Sequence, residues 1–234
     1  MFHEERRLWQ CCRKTDNVIG IPIGVDMDWE NPLRSIATTV DADVLKVLAG
    51  THASVTGNQL ARVAGRSYAQ VSSVVQRLTR EGVVLVEQHG RTYSYRLNRT
   101  HALAPGLFDI LSAPSRIEDE IRDLVETWEF PPDTVAIFGS AARREATPES
   151  DIDLLVVRPD EVDSDDTGWR AGIGDMERMI EQRSGNHVHV VEVDRLELAE
   201  AVDTDQPLIG SLRFEARTLL GEDLRIQLAG EERP

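Results

Sequence analysis

Two apolar runs that bracket a glycine and two aspartates constrain the fold of this chain more than any other feature. The runs are Val135–Phe138 and Leu154–Val157, and both have the length and composition of buried strands. Gly139 follows the first run directly, while Asp151 and Asp153 open the second. An isolated Asp-x-Asp is typical of a solvated strand edge. With a buried strand on each side, the pattern instead predicts an α/β unit that carries a polar site.

The spacing of the polar residues indicates which chemistry that site performs. Because side chains alternate along a strand, Asp151 and Asp153 are expected on one face and Ile152 in the core. Two convergent carboxylates supply the hard oxygen ligands that Mg2+ prefers. Gly139 would let the backbone approach a phosphate, and Ser140 could donate to that phosphate near a helix N-terminus. We therefore predict a divalent metal site, for Mg2+ or Mn2+, beside a phosphate-binding turn.

This stretch closely resembles the signature of the minimal nucleotidyltransferases of the polymerase-beta superfamily. The resemblance covers about residues 134–221, where a helix near Trp169–Gln182, a strand near His187–Val193 and a closing helix near Gln206–Leu220 follow the family order. It implies an α/β (α+β) fold with a mixed sheet flanked by helices. It also implies an NTP substrate, with ATP expected, whose phosphates the metal bridges while a hydroxyl attacks the α-phosphorus and pyrophosphate leaves. Arg143 is expected to add a guanidinium to the same phosphates.

One position departs from the family pattern. Active members carry a third carboxylate on the next central strand, and His189 occupies that position within Gly185–Val191. Imidazole is a poor Mg2+ ligand, although it can act as a general base and binds Mn2+ or Zn2+ more readily. Glu192 is three residues further on and should face the other side unless the strand bulges. We therefore take Asp151, Asp153 and His189 as the candidate catalytic residues and leave turnover open.

Nearer the N-terminus, two predicted helices begin with the same capping signal. Thr56 with Gln59 and Ser67 with Gln70 both fit the capping box, a hydroxyl followed three residues later by Glu or Gln. A tight turn at Gly65 joins the two helices, which is the pattern of a helix-turn-helix. The first helix is expected to bury its apolar positions, Leu60, Val63 and Ala64.

The second of these helices separates an apolar face from a polar one. Its apolar residues recur at helical spacing, and they are Val71, Val74, Val75 and Leu78. The polar face carries small, amide and guanidinium groups, of the kind that read base edges in the major groove of DNA. The residues predicted to enter that groove are Ser72, Ser73, Gln76, Arg77 and Arg80. Arg91, further along the chain, is expected to contact a phosphate or the minor groove.

A short helix with Asp41 as its N-cap precedes this pair, and a hairpin of Val83–Gln88 and Thr92–Leu97 follows it. The order of helix, helix-turn-helix and Gly-containing hairpin resembles the winged-helix regulators related to the MarR and ArsR families. The resemblance covers residues 41–100 and implies binding to double-stranded DNA, with a homodimer expected from winged-helix habit. The alternative is a winged helix that makes protein contacts only.

Charge separates these two parts of the chain. The whole sequence has 26 basic and 41 acidic residues, a net charge of −15. Residues 41–100 hold eight basic and four acidic side chains, a net of +4, whereas residues 114–234 hold 13 and 30, a net of −17. A locally basic module on so acidic a chain favours an anionic partner such as DNA.

Composition gives further expectations. Only Lys14 and Lys46 are lysines, and the many carboxylates resemble the proteome of a halophilic archaeon, an ordinary acidic protein being the alternative. The adjacent Cys11 and Cys12 suit neither a disulfide nor a zinc site. No stretch approaches the roughly 20 apolar residues of a membrane span, so a cytoplasmic protein is expected.

The predicted organisation is an extension and linker (1–40), a winged helix-turn-helix (41–100), a linker helix (101–133), a nucleotidyltransferase-fold domain (134–221) and an acidic tail (222–234).

Two functions from different classes follow. The first is a DNA-binding protein whose nucleotidyltransferase-fold domain binds NTP and a divalent metal and transfers NMP to a small molecule or a protein, as antitoxin-like members do to toxins of the HEPN class. The second is a transcriptional regulator whose degenerate domain is a catalytically silent nucleotide sensor or partner-docking module. An aminoglycoside-modifying activity is a third alternative that no residue pattern supports.

Overall fold

The computed structural model of the protein describes residues 27–143, 150–204 and 207–229. The cysteine pair and the segment before Met27 lie outside the described residues, as does the end of the chain after Ala229. The N-terminal half contains a 3-10 turn (Pro32–Ser35), α1 (Thr39–Ala49), β1 (Val55–Thr56), α2 (Gly57–Val63), α3 (Tyr68–Arg80), β2 (Val84–His89), β3 (Thr92–Leu97) and α4 (Ala104–Leu111). The C-terminal half contains α5 (Ala113–Glu126), β4 (Thr134–Phe138), α6 (Gly139–Arg143), β5 (Ile152–Arg158), α7 (Thr167–Ser184), β6 (Val188–Asp194), α8 (Arg195–Asp203), α9 (Pro207–Glu215), β7 (Arg217–Leu220) and α10 (Leu224–Ala229).

The starts of α2 and α3 confirm the two capping boxes, because in each the hydroxyl and the glutamine exchange hydrogen bonds with backbone amides. The prediction for α1 was wrong by three residues. Its N-cap is Thr38, and Asp41 instead donates its backbone amide to the Thr38 hydroxyl. Gly50 ends α1 as expected.

Helix α2 buries a narrower stripe than the sequence predicts. Leu60 and Ala61 are buried, whereas Val63 is 63% exposed. The buried positions of α2 follow the helical repeat from Gly57 through Leu60 and Ala61, and Val63 falls outside that stripe. Helix α3 agrees with its predicted apolar face, since Val71, Val75 and Leu78 are buried and Val74 packs partly against the same core.

The predicted hairpin is present as β2 and β3, which pair antiparallel with His89 opposite Thr92. Gly90 turns the chain at φ 63°, a conformation that glycine adopts without strain. The short β1 adds to the other edge of β3 and completes a sheet of order β1-β3-β2.

The second sheet confirms the predicted mixed architecture. Its order is β6-β5-β4-β7, with β5 and β6 parallel and the other neighbours antiparallel. Ile152 and Leu154 alternate with Leu155 and Val157 along β5, so each face of the sheet has its own apolar layer. Helices α5 and α7 cover one face, and α8, α9 and α10 cover the other.

Segments predicted as linker, helix or tail are more structured than expected. Region 101–133 contains two helices, and α5 packs into the core of the larger sheet through Ile117 and Ile121. The closing helix ends at Glu215, because the chain then forms the edge strand β7 against β4. The expected acidic tail includes α10, whose Leu224 and Leu228 are buried. No helix among the described residues is long and apolar enough to cross a membrane.

Candidate active site

The turn from β4 into α6 forms one wall of the candidate site. Phe138, the last residue of β4, pairs with Asp153 of β5, so Gly139 lies directly beside that carboxylate. Gly139 has φ 68°, and a Cβ built on it would overlap Oδ2 of Asp153. Any other residue here would therefore be strained and would displace the carboxylate. Ser140 follows in the first turn of α6 and is half-buried.

The two aspartates are arranged as the alternation of a strand predicts. Ile152 is 1% exposed, Asp151 before it is exposed, and Asp153 after it keeps 29% of its side chain exposed. Burial raises the pKa of Asp153, and the charge of Asp151 raises it further. A hydrogen bond from His189 and the charges of His189 and Arg143 oppose this shift in the pKa. A bound cation would offset both the cost of burying the charged form of Asp153 and its repulsion from the charge of Asp151.

His189 lies against Asp153 because the two residues are partners in the parallel register of β5 and β6. Nδ1 of His189 is 3.4 Å from Oδ1 of Asp153. Glu192 lies on the opposite side of β6, as expected, where it pairs with Arg158 at 3.1 Å and Arg170 at 3.0 Å. His189 therefore takes the place beside Asp153 that the sequence assigned to it.

Two charged residues around the site have partners that the sequence did not reveal. Arg143 on α6 donates from Nη1 to Oε2 of Glu215 on α9, at 2.6 Å. Glu177 on α7 is close enough to His189 for the imidazole to lower its pKa, although burial and the charge of Glu181 raise that pKa overall. Nothing in the local sequence places α7 or α9 at the site, so Glu177 and Glu215 were missed. Residues 144–149 lie outside the described part of the chain.

The donor set fits a divalent cation only together with a nucleotide. Among the described residues, no group of three or more His, Cys, Asp or Glu is arranged to hold a metal ion. Asp151 and Asp153 supply carboxylate oxygens, and Mg2+ is usually bound by one or two carboxylates with substrate phosphates and water completing its coordination. The glycine at position 139 leaves room beside Asp153 that a side chain would fill. The residues therefore fit a cation that arrives with a phosphate.

The residues predicted to contact DNA are mostly at the surface. Ser73, Gln76, Arg77 and Arg80 on α3 and Arg91 in the hairpin turn are exposed, and Ser72 is half-buried. Arg77 is bound within the protein, at 2.6 Å from Asp41 and 3.3 Å from Glu81. In the described ranges, Arg80 and Arg91 have no ion-pair partner within 4.0 Å.

Residues 115–215 match the family model of the Nucleotidyltransferase domain. The chain thus contains a nucleotidyltransferase domain, and the match spans the elements from α5 to α9.

Two solved structures are similar over part of the chain. One is described as a crystal structure of the toxin-antitoxin with AMP-PNP; it is 17% identical, with a TM-score of 0.34, and the match covers 48% of this chain and 84% of that one. The other is a mutant of the toxin-antitoxin MntA-HpeT, at 14% identity, the same TM-score and the same coverage. No curated protein matches the chain.

Proposed function

We propose that the nucleotidyltransferase domain binds an NTP, ATP first, together with Mg2+ or Mn2+ and transfers NMP to a protein acceptor. The family resemblance of residues 134–221 favours an acceptor of the HEPN toxin class. The observation that carries the proposal is the pair Asp151 and Asp153 beside the positive-φ turn at Gly139. The N-terminal helices and hairpin are proposed to be a winged helix-turn-helix that binds duplex DNA.

In this mechanism Asp151 and Asp153 would hold the cation, and its chemistry there would be to offset negative charge on the phosphates. The backbone amide and hydroxyl of Ser140 donate to phosphate oxygens, and Arg143 adds positive charge near them. Nδ1 of His189 donates to Oδ1 of Asp153, which leaves Nε2 to accept the proton of the attacking hydroxyl. The bond from that hydroxyl oxygen to the α-phosphorus forms as the bond to the β-phosphate oxygen breaks, and pyrophosphate leaves.

The test is incubation of the full chain with α-labelled ATP, CTP, GTP or UTP, Mg2+ or Mn2+, and cell extract as a source of acceptors. The wild type should label a protein, and the Asp151→Asn/Asp153→Asn double variant should not. A matched control is Asp163→Asn/Asp165→Asn, which removes the same charge from an exposed Asp-x-Asp in a loop. Equal labelling by both double variants would contradict the assignment of the site.

A second candidate function is a silent nucleotide sensor, and the observation that favours it is His189 at the third ligand position. Calorimetry with NTP and metal separates the two functions, because the sensor binds nucleotide without transferring NMP. If the wild type binds no nucleotide with either metal, both functions are wrong and the domain is a partner-docking module.

The proposal of DNA binding is supported by the exposed guanidinium groups of Arg80 and Arg91. Arg80→Ala should weaken binding of the full chain to its DNA by about 1 to 3 kcal/mol if Arg80 contacts guanine. Arg178→Ala, at another exposed arginine on α7, is the control and should leave binding unchanged. Unchanged gel shifts for both Arg77→Ala and Arg80→Ala would refute the role of α3.

A further inference from the structure

We infer that Trp29 and Asn186 are positioning residues for the candidate active site. Trp29 lies in the segment 27–31, which we call the strap, at the start of the described chain. Asn186 lies between α7 and β6. The inference rests on the proposed binding of nucleotide and metal by the aspartates, and it adds a second layer of residues that hold those aspartates in place.

The strap is fixed to the nucleotidyltransferase domain by a set of buried hydrogen bonds. The indole Nε1 of Trp29 donates to Oδ1 of Asn186 at 3.0 Å, and the two side chains are 6% and 0% exposed. The backbone amide of Met27 donates to the carbonyl of Ser184 at 3.0 Å. Nδ2 of Asn186 donates back to the carbonyl of Met27 at 3.3 Å. The strap was predicted to be part of an irregular linker, and it is instead packed into the core.

Asn186 connects the strap to both strands that carry the site. Its Nδ2 also donates to the carbonyl of Ser150 at 3.3 Å, and Ser150 is the residue directly before Asp151. At the same level, the amide of Ile152 donates to the carbonyl of His187 at 2.8 Å. One buried amide therefore fixes the backbone at the entry to β5, where the aspartates stand, and lies three residues before His189.

The apolar part of Trp29 packs into the core that α6 and β5 also enter. Its ring belongs to the same core cluster as Ala141 of α6 and Ile152 of β5. Trp29 also shares the lining of one cavity with Ala141. The indole thus belongs to the same core as α6, the helix that begins at Gly139, while its Nε1 holds Asn186. Because metal ligands must be held within a fraction of an ångström, a looser entry to β5 should reduce metal-dependent binding first.

The test compares two substitutions of the same kind. Trp29→Phe removes the indole donor, and Trp169→Phe is the matched control, since Trp169 is 4% exposed and its Nε1 has no hydrogen-bond partner among the described residues. Calorimetry would use the full chain with α,β-methylene ATP, whose α–β link cannot be cleaved, at several Mn2+ concentrations and without metal. Trp29→Phe should weaken the metal-dependent affinity about fivefold to tenfold and leave the metal-free affinity unchanged. Trp169→Phe should change neither.

Equal losses in both variants would overturn the inference, because Trp29 would then act only through packing. If the wild type binds no nucleotide, the proposed function fails, and positioning is tested separately by hydrogen exchange. The amide of Ile152 should exchange faster in Trp29→Phe than in Trp169→Phe. Asn186→Asp, which keeps the acceptor for the indole but cannot donate to Ser150, should accelerate the same amide. Exchange as slow as in the wild type in both variants refutes the positioning role.

Discussion

Asp43 offers the sharpest test of how the N-terminal half is held together. Its side chain is 4% exposed and accepts hydrogen bonds from Nδ2 of Asn31 at 3.2 Å, Nε of Arg34 at 2.8 Å and Nε of Arg66 at 2.7 Å. Arg66 lies in the turn between α2 and α3. Asp43 therefore ties the strap and α1 to that turn, and Asp43→Asn removes the charge while nearly preserving the shape.

The cost can be bounded from the exposure of the partners. Breaking a buried ion pair costs about 3 to 5 kcal/mol, because it leaves an uncompensated charge. Arg34 and Arg66 are 33% and 29% exposed, so water solvates them partly, and Arg34 also keeps its pair with Asp28 at 2.7 Å. These features reduce the expected loss of unfolding free energy to about 2 kcal/mol.

Urea unfolding followed by circular dichroism measures this loss. The control is Asp119→Asn, which breaks an i,i+3 pair with Arg122 in which both side chains are more than a third exposed. Such surface pairs contribute about 0 to 1 kcal/mol. A loss for Asp43→Asn that is no larger than that of the control would show that the buried network stabilises nothing and would refute the reasoning.

Three further outcomes are expected. Gly139→Ala should lower the unfolding free energy by about 1 to 2 kcal/mol from its positive φ alone and, by displacing Asp153, abolish metal-dependent nucleotide binding in calorimetry. Glu177→Gln should raise the melting temperature at neutral pH, because burial and a neighbouring carboxylate raise the pKa of Glu177 and its charged form opposes folding. The gain should shrink as pH falls below that raised pKa and be absent below the ordinary pKa of glutamate, and Glu126→Gln, at an exposed position on α5, is the control substitution. His189→Asp should tighten Mg2+ binding relative to Mn2+, measured with a nucleotide analogue, since it supplies a hard oxygen ligand; an unchanged preference would mean that His189 does not face the cation.

The features that the sequence predicted well are those encoded within a few residues. A capping box depends on two residues three apart, and the starts at Thr56 and Ser67 were predicted correctly for that reason. The simpler N-cap preference misplaced the start of α1, because Thr38 and Asp41 both have capping side chains and that preference does not rank them. Strand alternation likewise predicted the burial of Ile152, which depends only on its neighbours.

The features that were missed depend on contacts between distant parts of the chain. Trp29 and Asn186 meet across 157 positions, and Arg143 and Glu215 across 72. No local pattern marks such pairs, so a segment without periodicity was interpreted as linker. The edge strand β7 was missed for the same reason, since a four-residue strand is recognised by its pairing with β4 more than by its own residues.

Fewer basic side chains of residues 41–100 are available to bind phosphate than a count of residues indicates. Four of the eight basic side chains are engaged in ion pairs within the protein: Lys46, Arg66, Arg77 and Arg96. Arg99 donates to the backbone carbonyl of Ala49, so in the described part of the chain the basic residues left to meet phosphate are Arg62, Arg80 and Arg91.

Three phosphate contacts correspond to a slope of about −2.7 for the logarithm of DNA affinity against the logarithm of salt concentration. Fluorescence anisotropy with a labelled duplex at increasing salt measures this slope directly. A slope near −6 would mean that DNA opens the four internal ion pairs and recruits their basic side chains as well. A slope near −3 that Arg80→Ala makes shallower by about one unit would instead locate the contact on the exposed end of α3, which leaves Arg77 bound to Asp41.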